Sequence, residues 1–243
     1  MSAETHEAPT APPPLVKPRA KWVLDRLAVG LFVGIAGLAF VRAAPHAWRP
    51  ELVLALPVGL LGGYLLADFI AGTVHWLADR CLDPSTPVVG PLLIEPFRAH
   101  HDDPGSISRH DLFEVAGNNA LVSVPLAGAL LTMPLPHDFG STLLFVFGMS
   151  FAAAAVATNV FHGWAHAKQP PRLARALQRS GLILTPARHA RHHRGEHDRA
   201  YCVTSGWLNP MLDGLGFFAA LERRFGTSVA SETEHSESDE RRS

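Results

Sequence analysis

The sequence is poor in cysteine and in charge, and each shortage removes a class of protein. Two cysteines, Cys81 and Cys202, with no CxxC spacing, exclude a disulfide framework and a zinc ribbon. Both read as small buried residues rather than ligands. Charged residues make up only 18% of the 243 and leave a net charge of -1, so no basic face exists to hold nucleic acid. No apolar stretch follows Met1 directly, and Lys17, Arg19, Lys21 and Arg26 come first, which excludes a signal peptide at the start. Residues 1–20, with the run Ala11-Pro12-Pro13-Pro14, and the acidic residues 226–243 read as disordered tails around one domain over 21–225.

What the chain has instead is apolar length. Hydrophobic residues make up 47%, and mean hydropathy is +0.12. Apolar runs, broken only by Arg42 and Asp68, place transmembrane helices at about 27–44, 52–74, 115–136 and 139–161, the first short enough to need flanking residues or a thinned bilayer. Helices of a soluble bundle would carry a charged face, and these runs carry none. The expected fold is all-α, an integral membrane four-helix transmembrane domain with a cytoplasmic, helical, His-rich di-metal cap. Lys and Arg gather before the first span, between the second and third (Arg80, Arg98, Arg109) and after the fourth, so both termini and the central loop are expected in the cytoplasm.

Histidine is the conspicuous excess, with 14 in the chain. In His189-Ala190-Arg191-His192-His193 three imidazoles at i, i+3 and i+4 fall on one helical face and make a transition-metal half-site. His162 and His166 repeat the i, i+4 spacing at the exit of the fourth span, and His75 pairs with Asp79 in the same way at the exit of the second. The adjacent His100 and His101 diverge by about 100° on a helix and can serve two metals. All of these lie on one expected side of the membrane, whereas His46 and His137, on the other, belong to no cluster. The candidate ligands are therefore His75, His100, His101, His162, His166, His189, His192 and His193. Eight are too many for one tetrahedral zinc, suit two metals, and favour iron and O2 chemistry over zinc hydrolysis.

Polar neighbours could orient those ligands. Asp68 sits inside an apolar helix, where an unpaired charge is costly. Asp79, Asp111 and Glu114 could fix imidazole tautomers, although Ser108-Arg109-His110-Asp111 reads as a helix start, which would make Asp111 and Glu114 capping residues. Asn118 and Asn159 are further candidates.

Five stretches resemble the Kua/CarF-type family, the plasmanylethanolamine desaturases: Asp68–Asp79 (DFIAGTVHWLAD), Pro96–Asn119 (PFRAHHDDPGSISRHDLFEVAGNN), Ala157–His166 (ATNVFHGWAH), Leu177–His193 (LQRSGLILTPARHARHH) and Tyr201–Asp213 (YCVTSGWLNPMLD). The likeness runs from about Leu60 to Glu222 in the family's order and differs from the stearoyl-type histidine pattern. It implies an oxidoreductase with two iron ions that uses O2 to turn a 1-O-alkyl ethanolamine phospholipid into its vinyl ether, a plasmalogen. Two electrons would come from an NAD(P)H-linked electron-transfer protein of cytochrome b5 or ferredoxin type. The eight histidines match the family's pattern, His110 falls beside them as an orienting residue, and Arg98, Arg109 or Arg188 could meet the lipid phosphate at the bilayer surface. A plant branch of the family desaturates a fatty acyl chain of a phospholipid, so the resemblance leaves the lipid open. The absence of a retention signal points to a bacterial inner membrane rather than endoplasmic reticulum. A b-type cytochrome using His75 and His162 would leave the other clusters idle. A membrane zinc hydrolase would need a positioned carboxylate such as Glu114. A metal transporter would need polar residues at the bilayer midplane, where only Asp68 and Asn159 stand near.

Overall fold

The computed structural model describes residues 19–47, 52–87 and 89–225, so the acidic tail and most of the N-terminal tail lie outside it. Among the described residues the regular structure is all helical, with no strand. Four long helices, α1 (Arg19–Ala47), α2 (Ala55–Trp76), α4 (Leu112–Thr132) and α5 (Phe139–His166), are each long and apolar enough to cross a membrane. Short helices α3 (Glu95–Asp102), α6 (Arg172–Arg179), α7 (Pro186–His189), α8 (Asn209–Gly214) and α9 (Phe217–Phe225) follow the exits of α2 and α5.

Helix α1 begins eight residues before the expected span. Lys21, Asp25 and Arg26 precede the expected start, yet each charge is answered within the bundle. Lys21 pairs with Asp25 one turn on and donates to Asn118 Oδ1 of α4 at 2.9 Å, while Arg26 reaches Asp111 at 2.5 Å. Asp25 itself is only 1% exposed. Paired in this way, the charges can sit at a membrane boundary while the helix continues through them.

Helix α2 packs on α5 through small residues. Ala55, Gly59, Gly63 and Ala67 recur every fourth position on its buried face, the spacing that lets membrane helices approach backbone to backbone. At Gly63 the approach is closest: a Cβ there would meet the Phe147 carbonyl oxygen of α5 at 2.2 Å. Gly63→Leu is therefore expected to cost at least about 3 kcal/mol of packing and to remove the monodisperse species from size-exclusion chromatography in detergent. Gly30→Leu on α1, where a Cβ meets nothing within 4 Å, should leave the profile unchanged.

The remaining long helices start on capping boxes. The Glu114 N–H donates to Asp111 Oδ1 (3.0 Å) and the Asp111 N–H to Glu114 Oε2 (3.3 Å), so the α4 cap is Asp111 itself rather than Ser108. Asp138 and Ser141 form the same reciprocal pair at the head of α5. In each case two backbone donors that the helix leaves unpaired are satisfied where the chain enters the span.

Helix α2 does not stop at Trp76. It widens into a π turn over Leu77–Cys81, and Arg98 closes that turn by donating to the carbonyls of Ala78 (3.4 Å) and Leu82 (2.9 Å). The wide turn carries Asp79 under His75. Local widening of this kind is common where a helix serves a functional site.

Candidate metal centre

The eight candidate histidines converge at one end of the bundle, where α2 and α5 end, and fall into two groups. His100, His162, His166, His189 and His193 form one; His75, Asp79, His101 and His192 form the other, the donor atoms of each group lying within 4.8 Å of one another. In the all-histidine group Nε2 of His189 lies 2.8 Å from that of His162 and 3.0 Å from that of His193, and His166 Nε2 is 3.3 Å from His162 Nε2. In the mixed group Asp79 Oδ2 is the hub, 3.3 Å from His75 Nε2, 3.4 Å from His192 Nε2 and 3.6 Å from His101 Nε2.

These distances fit a metal. Bonds of about 2.1 Å to imidazole nitrogen set neighbouring ligands about 3 Å apart. Among the described residues, buried polar atoms also lack any hydrogen-bond partner: His75 Nε2, both Asp79 oxygens and both His100 nitrogens. Leaving such atoms unpaired is costly, and a cation shared among them answers that cost. Four of the imidazoles beyond the membrane-spanning segments, His100, His101, His189 and His193, are held neutral, as metal donors must be. Burial, reinforced by neighbouring imidazoles, holds His100 and His193 down to about 3, His101 to about 2, and His189 well below its ordinary value.

Two expectations are corrected in detail. Residues 189–193 do not form one helical face, because α7 ends at His189 and the chain continues in tight turns, His192 N–H donating to the His189 carbonyl at 2.9 Å. The turn sends His189 and His193 to one group and His192 to the other, and the pair His100 and His101 divides in the same way. Asp79, expected to orient a ligand, lies within the mixed group, its Oδ2 facing three imidazole nitrogens.

The other orienting candidates lie elsewhere. Asp111 and Glu114 cap α4, and His110 Nδ1 rests 3.1 Å from Glu114 Oε2. His110 also lines a cleft of about 230 Å³ with Leu112, Val160, Gly163 and Trp164, beside the α5 exit. Asn118 accepts from Lys21, and Asn159 donates to Asn119 Oδ1 (3.3 Å), so these amides tie α1 to α4 and α4 to α5. The three arginines are engaged within the protein. Arg98 closes the π turn, Arg109 pairs with Asp103, and Arg188 donates to the carbonyls of Gly181 (2.9 Å) and Ser205 (3.0 Å). The head-group role expected of them has no support in these contacts.

Asp68 acts through the backbone. Fully buried in α2, its Oδ1 accepts from the N–H groups of Thr204 (3.0 Å), Ser205 (2.8 Å) and Gly206 (3.1 Å), and its Oδ2 from the Ser205 hydroxyl (3.1 Å) and Leu208 N–H (3.4 Å). Asp68 lies about 10 Å along the helix from His75, so the carboxylate draws non-helical chain down beside α2 and α5. Residues 200–206 are buried one after another, and Thr204 Oγ1 meets Thr158 Oγ1 of α5 at 2.7 Å. Irregular backbone at that depth is tolerated only when the protein satisfies it. From this segment the Tyr201 carbonyl accepts from His75 Nδ1 (3.1 Å), and just before it the Arg199 carbonyl accepts from His192 Nδ1 (2.8 Å), turning both Nε2 atoms toward Asp79.

Fold and site together define a multi-pass helical membrane protein with paired, imidazole-rich metal-binding groups at one end of its bundle. The chain belongs to the lipid desaturase domain family, whose model matches residues 64–234. It is 44% identical over 168 residues to plasmanylethanolamine desaturase of Myxococcus xanthus, covering 68% of this chain and 58% of that protein. It is 36% identical over 177 residues to plasmanylethanolamine desaturase 1 of Mus musculus (68% and 63%) and 38% identical over 177 residues to chloroplastic fatty acid desaturase 4 of Arabidopsis thaliana (71% and 53%). The chain thus spans about three-fifths of the first two relatives. No solved structure matches it.

Proposed function

We propose that the chain is a di-iron, O2-dependent desaturase that forms the vinyl ether of plasmalogens from 1-O-alkyl ethanolamine phospholipids. The observation that carries this reading is the pair of adjacent donor groups, eight imidazoles and one carboxylate, at the end of a membrane bundle. The likeness to two plasmanylethanolamine desaturases supports the substrate. With iron bound, the centre would supply the oxidising power to take hydrogen from an unactivated C–H. The overall balance is the loss of one hydrogen from each of C1 and C2 of the alkyl chain, while O2, two external electrons and two protons become two waters. The electrons are taken to come from an NAD(P)H-linked electron-transfer protein.

The chain's own residues bind, orient and exclude water. His100, His162, His166, His189 and His193 would hold one iron, and His75, Asp79, His101 and His192 the other. The buried stretch 200–206 closes the α2 side against solvent. The cleft lined by Leu112, Val160 and Trp164 offers an apolar wall for an alkyl chain arriving from the bilayer. We place the centre and both termini on the cytoplasmic side, from the Lys and Arg distribution, and the protein in a bacterial inner membrane. A second reading, desaturation of a phospholipid acyl chain, is favoured by the 38% identity to the plant enzyme.

Mass spectrometry of lipids from membranes expressing the chain, fed a 1-O-alkyl phosphatidylethanolamine, distinguishes them. The expected product is two hydrogens lighter, acid-labile, formed only under air, and unaffected by His137→Ala. A new double bond in an acyl chain instead selects the second reading. No change in any lipid, from protein supplied with iron and reductant, overturns both.

A further inference from the structure

His197 takes no place in either donor group, yet it touches one of them closely. Its ring lies face to face with that of His101, centroids 3.9 Å apart and planes inclined by 7°. The contacts to His192 (5.6 Å) and His193 (5.9 Å) are looser and tilted or edge-on. His197 is held in the left-handed backbone region at φ 54°, between Gly195 at φ 79° and Ala200 at φ 57°. Non-glycine residues adopt that region rarely and at a cost, so a turn containing two of them must be held from outside. Asp213 does so by accepting from the Ala200 N–H at 3.1 Å.

The turn has a single-sided relation to the centre. A ligating imidazole is ordinarily aimed by a hydrogen bond to its other ring nitrogen. In the mixed group His192 has that bond from the Arg199 carbonyl and His75 from the Tyr201 carbonyl. The polar contacts of His101 among the described residues all run through Nε2, to His192 (3.1 Å) and Asp79 (3.6 Å). Nothing polar fixes the plane of that ring, and the flat face of His197 covers it. Residues 197–201 thus reach all three imidazoles of the mixed group, two by carbonyls and one by a ring.

We infer that the turn over residues 195–201 orients the mixed group as a unit, and that His197 is the positioning residue for His101, acting through its ring plane rather than as a ligand. This inference rests on the two-metal reading above.

The test is a Co2+ titration of the metal-free, full-length protein in detergent, followed by the visible absorption of bound Co2+. The wild type should take two ions. In His197→Ala one ion should bind as in the wild type and the other about 10–100-fold more weakly, the range found when a ligand loses its orienting partner. The retained ion shows that the variant is folded. His197→Phe, which keeps a flat ring and has no nitrogen donor, should restore both affinities. Unchanged binding in His197→Ala, equal weakening of both ions, or a His197→Phe variant that behaves like His197→Ala would each overturn the inference. A wild type that takes fewer than two ions overturns the two-metal reading and this one with it, and is distinguished by appearing before any substitution is made.

Discussion

Asp68→Ala is expected to leave no folded protein to purify. Three buried N–H groups, those of Thr204, Ser205 and Gly206, and the half-buried one of Leu208 lose their acceptor together. Each unpaired buried donor costs about 1–3 kcal/mol, and the sum rivals the whole stability of an ordinary domain, about 5–15 kcal/mol. Asp68→Asn keeps an oxygen for the three N–H groups on Oδ1 and disturbs only the Oδ2 side, so it should cost about 1–3 kcal/mol. The yield of monodisperse protein after size-exclusion chromatography reads Asp68→Ala, and thermal unfolding in detergent reads Asp68→Asn and any Asp68→Ala that is recovered. A wild-type melting temperature for Asp68→Ala would remove the anchoring role assigned to this carboxylate.

The second large effect is expected at Asp79. Its Oδ2 stands within 3.6 Å of three imidazole nitrogens, so Asp79→Asn exchanges the negative hub of the mixed group for a neutral amide of the same shape. Metal content should fall from two ions per chain to one, and turnover by about 100-fold or more, since even partners outside the ligand set cost 10–100-fold. His192→Ala should do the same, because it removes a donor from that group and from no other. Elemental analysis of purified protein, paired with vinyl-ether formation, checks both halves. Two bound metals in Asp79→Asn with normal turnover would show that the carboxylate is not part of the centre.

Much of this arrangement can be read from the amino-acid order, because apolar length and histidine spacing are local signals. Four spans and their shared histidine-bearing end follow from apolar runs and from imidazoles placed at helix exits. The start of α1 does not, since whether Lys21 and Arg26 end a span depends on Asn118 and Asp111, which belong to another helix. The division of His192 from His189 and His193 depends on α7 stopping after one turn, where the spacing alone suggested a longer helix. Asp79 and His75 show the i, i+4 relation openly, yet whether the carboxylate ligates or only orients is decided by His101 and His192 arriving from elsewhere. The role of His197 is not legible in the sequence, because its signal is a backbone turn and a ring stack, and neither leaves a spacing. Asp68 drew attention as a charge in an apolar helix, but its partners are backbone groups, which have no letter in the sequence.

The carbonyl that aims His75 belongs to Tyr201, 126 positions further along the chain. During synthesis His75 and Asp79 therefore emerge long before anything can set their geometry, and α5 is complete before residues 200–206 exist to lie against it. The mixed group is closed by carbonyls of residues 199 and 201, which leave the ribosome after all four long helices. A nascent chain interrupted before that point carries most of the imidazoles with one pocket still unaimed. The mixed group thus takes its final geometry only after all four long helices have been made, whereas the all-histidine group has every donor in hand by His193.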